Sequence, residues 1–481
     1  MQHLRGLLVT LIVGLACNAA RAAQVDFARL ADEYLARHKV EGKAPGEFGM
    51  QELLEAHTIG ARIGALELRF PREFLGDKSS VDDFKDGLSA ALQVHQLWID
   101  WMGASGPETE RAKVDLADAL KFMKTARVAG GAEREQDFLA ALSGSGPLRP
   151  TFERLAESFR SGKALGIEPR GYKQQVLLIA PNREHFFALA AVLGKLEESS
   201  RSMYWNQGLV GWTEFGWNEV QVMTTQYPPL KPTPENLGEG VAMDGREPTG
   251  LMENVAQRVG IALCWHCFAS ALDPAFEMAV AQTLVVDLYG QNNTRSGGSG
   301  RSNEVAAMEA FIPGGNPNGG ALPPGNADSP WRSTAGKDYF VRSLRDGLKV
   351  GAKTGAKTKE EKQAFFQLQS DDTSKKTPVR APFLGSAAQG KELPALIFIG
   401  DYLEFFRSYK ICFVHWLREE SQPKKAEAHR QFAELLRRVA EAGGAATFEE
   451  LVAEVYGTPY SATDLTSGCL EQRFLAWLSS K

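Results

Sequence analysis

The chain has 481 residues, of which 43% are hydrophobic and 23% are charged, so it can bury a sizeable globular core. Its 54 basic and 59 acidic residues give a formal net charge of −5, which excludes a basic nucleic-acid-binding protein as the default interpretation, and we expect no nucleic-acid partner. Five cysteines are too few to staple a chain of this length, which excludes a small disulfide-rich scaffold.

Residues 1–22 have the pattern of an export signal. Arg5 supplies the positive charge, an apolar run follows over Leu7–Ala16, and Ala20-Arg21-Ala22 offers the small residues at which a signal peptidase cleaves. The run is too short to cross a membrane as a helix, and no later stretch reaches 18 apolar residues. We therefore predict export to the periplasm or the extracellular space, as a soluble mature chain without a membrane span.

Residues 23–165 are predicted to form a helical N-terminal region. Apolar residues recur three or four positions apart over Phe27–Leu35 and again over Leu53–Ala61, the spacing of an amphipathic helix. Thr151 follows a proline and is expected to cap a later helix. The same periodicity predicts further helices over Val81–Met102, Glu108–Val128 and Thr151–Phe159. We expect this region to be a purely architectural bundle.

Residues 172–290 are predicted to contain a small sheet and two buried helices. The apolar run Gln175–Pro181 is typical of a buried strand, and a helix is expected over Glu184–Leu196. Thr249–Gly290 is the most apolar long stretch of the mature chain, and Asp273-Pro274 divides it into two helices. Two further strands are predicted, Ser202–Trp205 and Glu219–Thr225.

The remaining residues divide into an insertion and a C-terminal helical part. Residues 291–330 hold eight glycines and five prolines, and residues 331–380 hold twelve basic residues against six acidic ones. This composition predicts a Gly/Pro-rich and then basic insertion over 291–380. Helices return over 381–481, at Leu396–Trp416, Ala426–Glu441, Thr447–Tyr456 and Cys469–Leu478. The predicted fold class is α+β and mostly helical.

The order of these elements resembles that of the gluzincin metallopeptidases, zincins of the peptidase MA-like family. An apolar strand and helix (Val176–Leu196) precede polar strands rich in Trp and Gln (Trp212–Tyr227), and two long helices follow. The second helix opens with Pro274–Gln282, which is similar to the Pro-Ala-Trp-Leu-x-Glu-Gly-Leu-Ala segment of that family, with about one residue deleted. The resemblance covers roughly residues 172–480 and implies a zincin-like domain.

The resemblance also implies where a catalytic zinc would be bound, and there this sequence departs from the family. Active gluzincins carry His-Glu-x-x-His on the first long helix, where two imidazoles hold the metal and the glutamate activates water. The family spacing places this motif at Met252, Glu253 and Ala256, so the glutamate is kept and both histidines are replaced. The third ligand falls at Met278 or Ala279, and neither offers an oxygen donor. We therefore predict a degenerate site with no cofactor, and a non-catalytic protein that binds a peptide or an envelope polymer.

A set of cysteines leaves an alternative open. Cys264, Cys267, Cys412 and His415 are the ligand types of a tetrahedral zinc site. In an oxidising compartment these cysteines are better explained as disulfides or buried thiols, and their mid-helix position disfavours redox catalysis. The alternatives to a binding protein are an active hydrolase with this or another metal site, and a structural protein of the envelope.

Other catalytic signatures give no support for an enzyme. The sequence has no Gly-x-Ser-x-Gly elbow and no phosphate-binding loop of the Gly-x-x-x-x-Gly-Lys type. His95, His185 and His266 are scattered singly along the chain. This pattern favours partly buried structural histidines over catalytic bases.

Overall fold

The computed structural model describes the parts of the chain with well-defined placement, which are residues 27–44, 47–64, 66–126, 138–140, 142, 146, 148–171, 175–196, 214–217, 220–224, 250–269, 274–289, 413–459, 468–470, 473–474 and 476–477. These residues are mostly helical and include one small mixed sheet, so the predicted α+β, mostly helical class is confirmed. The export signal, the strand Ser202–Trp205 and the insertion 291–380 lie outside the described residues.

The described helices are α1 (Phe27–Arg37), α2 (Met50–His57), α3 (Lys78–Trp101), α4 (Pro107–Ala126), α5 (Arg149–Arg160), α6 (Arg183–Leu196), α7 (Gly250–Phe268), α8 (Pro274–Tyr289), α9 (Lys425–Ala442) and α10 (Phe448–Tyr456), with a short 3-10 helix at Arg72–Phe74. Residues 413–419 are also helical. None of the described helices is long and apolar enough to cross a membrane.

The sheet has five strands in the order β1-β2-β3-β5-β4. The outer pairs, β1 with β2 and β4 with β5, are antiparallel, whereas β3 runs parallel to both β2 and β5. The sheet therefore joins strands from both sides of the predicted boundary near residues 165–172. The strands are β1 (Thr58–Ile63), β2 (Leu66–Pro71), β3 (Gln175–Ala180), β4 (Glu214–Trp217) and β5 (Val220–Thr224).

The first two strands correct the prediction of a helix that continues to Ala61. Helix α2 ends at His57, where the Thr58 hydroxyl donates a hydrogen bond of 2.5 Å to the Leu54 carbonyl, and the chain then extends into a hairpin. Gly64 has a φ of +59°, a conformation that favours glycine, and it turns the chain between β1 and β2. The hairpin is stabilised by pairing with β3, about a hundred residues later, so a local helical spacing could not reveal it.

Two hydrophobic cores cover the two faces of the sheet. Successive residues of β3 alternate between them, because neighbouring side chains of a strand point to opposite faces: Leu177 packs in the larger core and Leu178 in the smaller one. Helices α3, α7 and α8 build the larger core with the C-terminal helices. Helices α1, α2 and α6 build the smaller core.

Helix α3 lies directly on the sheet, and a glycine allows the close approach. A Cβ atom added at Gly87 would lie 2.7 Å from Cδ1 of Ile179 in β3 and 3.6 Å from Cγ2 of Val255 in α7. Helix α3 is therefore held between the sheet and α7, with the side chain of Asp77 accepting a hydrogen bond from the backbone N–H of Ser79 at its start.

Most other helix predictions are confirmed, with small changes at the ends. The helices predicted over Val81–Met102, Glu108–Val128 and Glu184–Leu196 are present as α3, α4 and α6, and α7 and α8 are the two buried helices. The predicted cap at Thr151 is wrong. Helix α5 begins two residues earlier, at Arg149, and no side chain caps it, because Leu148 at the cap position has no side-chain acceptor.

Candidate functional site

Helix α7 carries the positions at which the resemblance predicts a degenerate zinc motif. The helix packs against α3 on one side and against α8 on the other. Glu253 is 2% exposed and Ala256 is fully buried, while Met252 is partly buried against the larger core. The thioether and the methyl group at these two positions therefore serve apolar packing, and neither is a ligand suited to a catalytic zinc.

The carboxyl group of Glu253 lies in a cluster of polar side chains between α3, α7 and α8. Tyr289, at the end of α8, donates a hydrogen bond of 3.3 Å to Oε1 of Gln93. Burial raises the pKa of the Tyr289 phenol, and the nearby carboxylates of Glu253 and Asp86 raise it further. This arrangement keeps the phenol protonated, and it offers carboxylates and an amide but no imidazole.

A glutamate that the sequence reasoning did not select lies beside the expected third-ligand position. Glu277 in the first turn of α8 is 7% exposed, directly before Met278 and two residues before the buried Ala279. Burial lowers the pKa of Arg258 on α7 to about 10, and the negative charge of Glu277 acts in the opposite direction. The carboxylate of Glu277 thus faces a guanidinium. A one-residue deletion in the matched segment was the signal that could have drawn attention to it.

The cysteines of α7 are buried thiols. Cys264 and Cys267 lie one turn apart, and among the described cysteines these two and Cys469 are free. Burial raises the pKa of Cys264 well above its usual value and that of Cys267 to about 12, so both stay protonated and are poor metal ligands or nucleophiles.

The alternative zinc set is only partly described. Cys412 lies outside the described residues, and His415 lies in the helical segment 413–419. Among the described residues, no group of three or more His, Cys, Asp or Glu side chains is arranged to hold a metal ion.

Two of the three single histidines lie in the larger core. His95 on α3 is fully buried, with Nδ1 2.7 Å from the Ala91 carbonyl and its ring edge-on to Phe159 at 4.7 Å. His266 on α7 places Nε2 2.8 Å from the Phe159 carbonyl. Burial lowers the pKa of both rings, that of His95 to about 4, so both are neutral packing elements at pH 7.

One of two grooves beside α5 lies at the edge of the sheet. It has a volume of about 340 Å³ and runs between β1 and α5, and we call it the β1–α5 groove. Helix α5 buries its apolar side in the larger core and turns its charged side toward β1. Within the described residues β1 pairs with β2 alone and is therefore an edge strand of the sheet. Residues Gly60, Arg62, Glu67, Arg149, Ala156 and Arg160 line it.

Charges of both signs line this groove and pair with one another. Glu67 of β2 accepts from Arg69 at 2.6 Å and from Arg62 at 3.3 Å, so its buried carboxylate lies between two guanidinium groups. On α5, Arg149 and Glu153 pair at 2.5 Å. A ligand here would meet alternating charges, which suits a polar main chain better than an ion of one sign.

A second groove of about 410 Å³ lies on the opposite side of α5, against α4. Arg154 reaches across it and binds Asp115 through two hydrogen bonds of 3.0 and 2.5 Å. This bidentate pair ties α5 to α4 across the second groove.

No protein-family model matches the chain, and no curated protein or solved structure matches it.

Proposed function

We propose that the chain is an exported, non-catalytic relative of the gluzincins that binds extended peptides in the β1–α5 groove. The position of β1 carries the proposal. Among the described residues it pairs with β2 alone, and an unpaired strand edge offers backbone N–H and C=O groups to a second extended chain. The paired charges along α5 would then contact the side chains of that peptide.

The interior of the resembling region supports binding rather than catalysis. Met252 and Ala256 stand where the family carries histidines, and Glu277 is near a guanidinium. Without a metal, nothing lowers the pKa of a water molecule from about 15.7 to near 7. The purified mature protein should contain no stoichiometric zinc by elemental analysis and should leave unfolded casein intact. Zinc bound at one ion per chain together with casein cleavage would overturn the non-catalytic part.

Binding is tested with fluorescein-labelled casein peptides and fluorescence anisotropy. Ala156 lines the groove from α5, so Ala156→Trp should fill it and weaken the affinity at least about tenfold. The matched control is Ala117→Trp on the exposed side of α4, away from both grooves, which should leave the affinity unchanged. Equal affinities for both variants, or no binding by the unmodified protein, would contradict the proposal.

A further inference from the structure

Two histidines share one carboxylate where the smaller core meets the rest of the molecule. Nε2 of His38, directly after α1, lies 3.4 Å from Oε1 of Glu73 in the 3-10 helix. Nδ1 of His185, in the first turn of α6, lies 3.3 Å from the same oxygen. Glu73 is 45% exposed, whereas His38 and His185 are 13% and 7% exposed, so the carboxylate closes the cluster from the solvent side.

Both ring nitrogens of His38 have partners. Nδ1 lies 3.0 Å from the Tyr34 carbonyl, which can only accept, so this nitrogen donates. Nε2 faces the Glu73 carboxylate. His38 therefore links the end of α1 to the 3-10 helix.

The surroundings of His185 favour its neutral form. Its Nδ1–H can donate to Glu73, while its Nε2 has no hydrogen-bond partner within the described residues. The ring is held edge-on to Tyr34 at 5.5 Å and to Phe74 at 5.0 Å, so a proton on Nε2 would meet aromatic surroundings. Burial lowers the pKa of His185 to about 3, and the charges of His38 and Arg37 contribute.

The cluster stands where helices α1 and α2 meet the 3-10 helix and α6. Helices α1 and α2 contact the rest of the chain chiefly through α6, and Lys195 of α6 binds Asp32 of α1 at the surface. His57, at the end of α2, stands edge-on to His38 at 5.1 Å and completes the titratable groups around it. We call residues 27–57 the α1–α2 cover.

We propose that His38, Glu73 and His185 form an acid-sensitive latch, which holds the α1–α2 cover on the sheet while His185 is neutral and releases it when His185 is protonated. The direction of the pH dependence follows from the linkage between proton binding and opening. His185 binds its proton more weakly in the closed state than at its usual pKa of 6.5, so the latch is intact above pH 6.5 and weakens as the pH falls toward 3. Opening should rise roughly 25-fold between pH 7 and pH 5.

Amide hydrogen exchange of the full chain at pH 7 and pH 5, corrected for the intrinsic rates, tests the latch. Peptides from the α1–α2 cover should be less protected than those from α3 at both pH values, and their protection should fall roughly 25-fold at pH 5. Protonation of the buried rings of His95 and His266 also destabilises the fold in acid, so the protection of α3 is expected to fall as well. The decisive measurement is therefore the protection of the cover.

Substitutions at one position separate the latch from general acid sensitivity. His185→Phe should fit beside Phe74 and remove the pH dependence of the cover, and His185→Asn serves the same purpose while keeping a donor toward Glu73. The control His57→Gln replaces a ring that binds the Lys39 carbonyl, and this variant should keep the full pH dependence of the protection of the cover. Equal protection of the cover and α3, a cover that does not respond to pH, or an undiminished response in both His185 variants would overturn the proposal.

Discussion

The α1–α2 cover and the C-terminal helices are both fastened to the molecule by partly buried charges, but they use different groups. The cover relies on two histidines around Glu73. At the other end of the chain, Arg418 reaches Asp287 of α8 at 2.5 Å and also Glu419, and its guanidinium lies 4.7 Å from the centre of the Trp101 ring. Lys425 and His429 add to Glu419.

The difference concerns the pH range over which each attachment holds. Arginine and lysine stay charged at any physiological pH, whereas a histidine changes its charge near neutrality. As the pH falls, the C-terminal attachment can therefore weaken only when its carboxylates are protonated. The cover can be released by a proton on an imidazole, so the same physical interaction gives a permanent joint in one region and a responsive one in the other.

The largest expected effect is the loss of the permanent joint in Arg418→Met. This change leaves the carboxylates of Asp287 and Glu419 buried without their guanidinium, and we expect about 3–5 kcal/mol less stability in urea denaturation. The control is Arg438→Met, because Arg438 is 44% exposed and pairs with surface carboxylates. This control should lose less than about 1 kcal/mol of stability. Similar midpoints for the two variants would refute the importance of the joint.

Matched leucine-to-alanine cavities in the two regions should destabilise different parts of the molecule. Leu53 of α2 and Leu436 of α9 are 1% and 0% exposed, and leucine-to-alanine changes at such sites cost about 2–5 kcal/mol. Leu436→Ala should lower the stability of the whole molecule. Leu53→Ala should chiefly speed hydrogen exchange within residues 27–57, because the cover can open by itself. Uniform acceleration across the chain in both variants would show that the regions are not separable.

Local sequence patterns predicted the long helices and the central strand well. Helix α3, strand β3 and the α7–α8 pair carry strong periodicity or long apolar runs, and their burial follows directly from composition. The β1–β2 hairpin was mistaken for helix because its register depends on β3, and local spacing does not carry that information.

The candidate sites depended still more on distant contacts. The resemblance predicted a degenerate motif on α7. The cysteines there were expected to be disulfides or buried thiols, and the structure shows them as buried thiols. The Arg418–Asp287 joint spans 131 residues, and the carboxylate of Glu73 collects histidines from two distant segments. Such pairs follow from the packing of whole elements, so the histidines looked isolated when read along the chain.

An acid titration of Glu419→Gln sharpens the contrast in pH range. Burial alone would raise the pKa of Glu419, but Lys425, Arg418 and His429 together lower it to about 2. An acid with a lowered pKa stabilises the fold above its usual value of 4.5 and loses that contribution as the pH falls toward 2, at up to about 1.4 kcal/mol per pH unit. The stability difference between the unmodified protein and Glu419→Gln should therefore shrink below pH 4.5. A difference that shrinks already between pH 7 and pH 5.5 would contradict a permanent joint.

The smallest expected effects come from two helix caps, one at the start of α6, which contacts the cover, and one among the C-terminal helices. Asn182 accepts a hydrogen bond from the backbone N–H of His185 at 2.7 Å, and Thr447 accepts one from the backbone N–H of Glu450 at 3.3 Å. Either alanine variant should therefore cost about 1 kcal/mol of stability.

The two alanine variants should nevertheless differ in their local consequences. Asn182 holds the turn that carries the His185 imidazole, so Asn182→Ala should increase exchange in the α1–α2 cover at pH 7. Thr447→Ala, with an equal cost in urea, should leave the cover unchanged, because its cap lies among the C-terminal helices. If both variants open the cover equally, the position of His185 does not control it, and the latch loses its geometric basis.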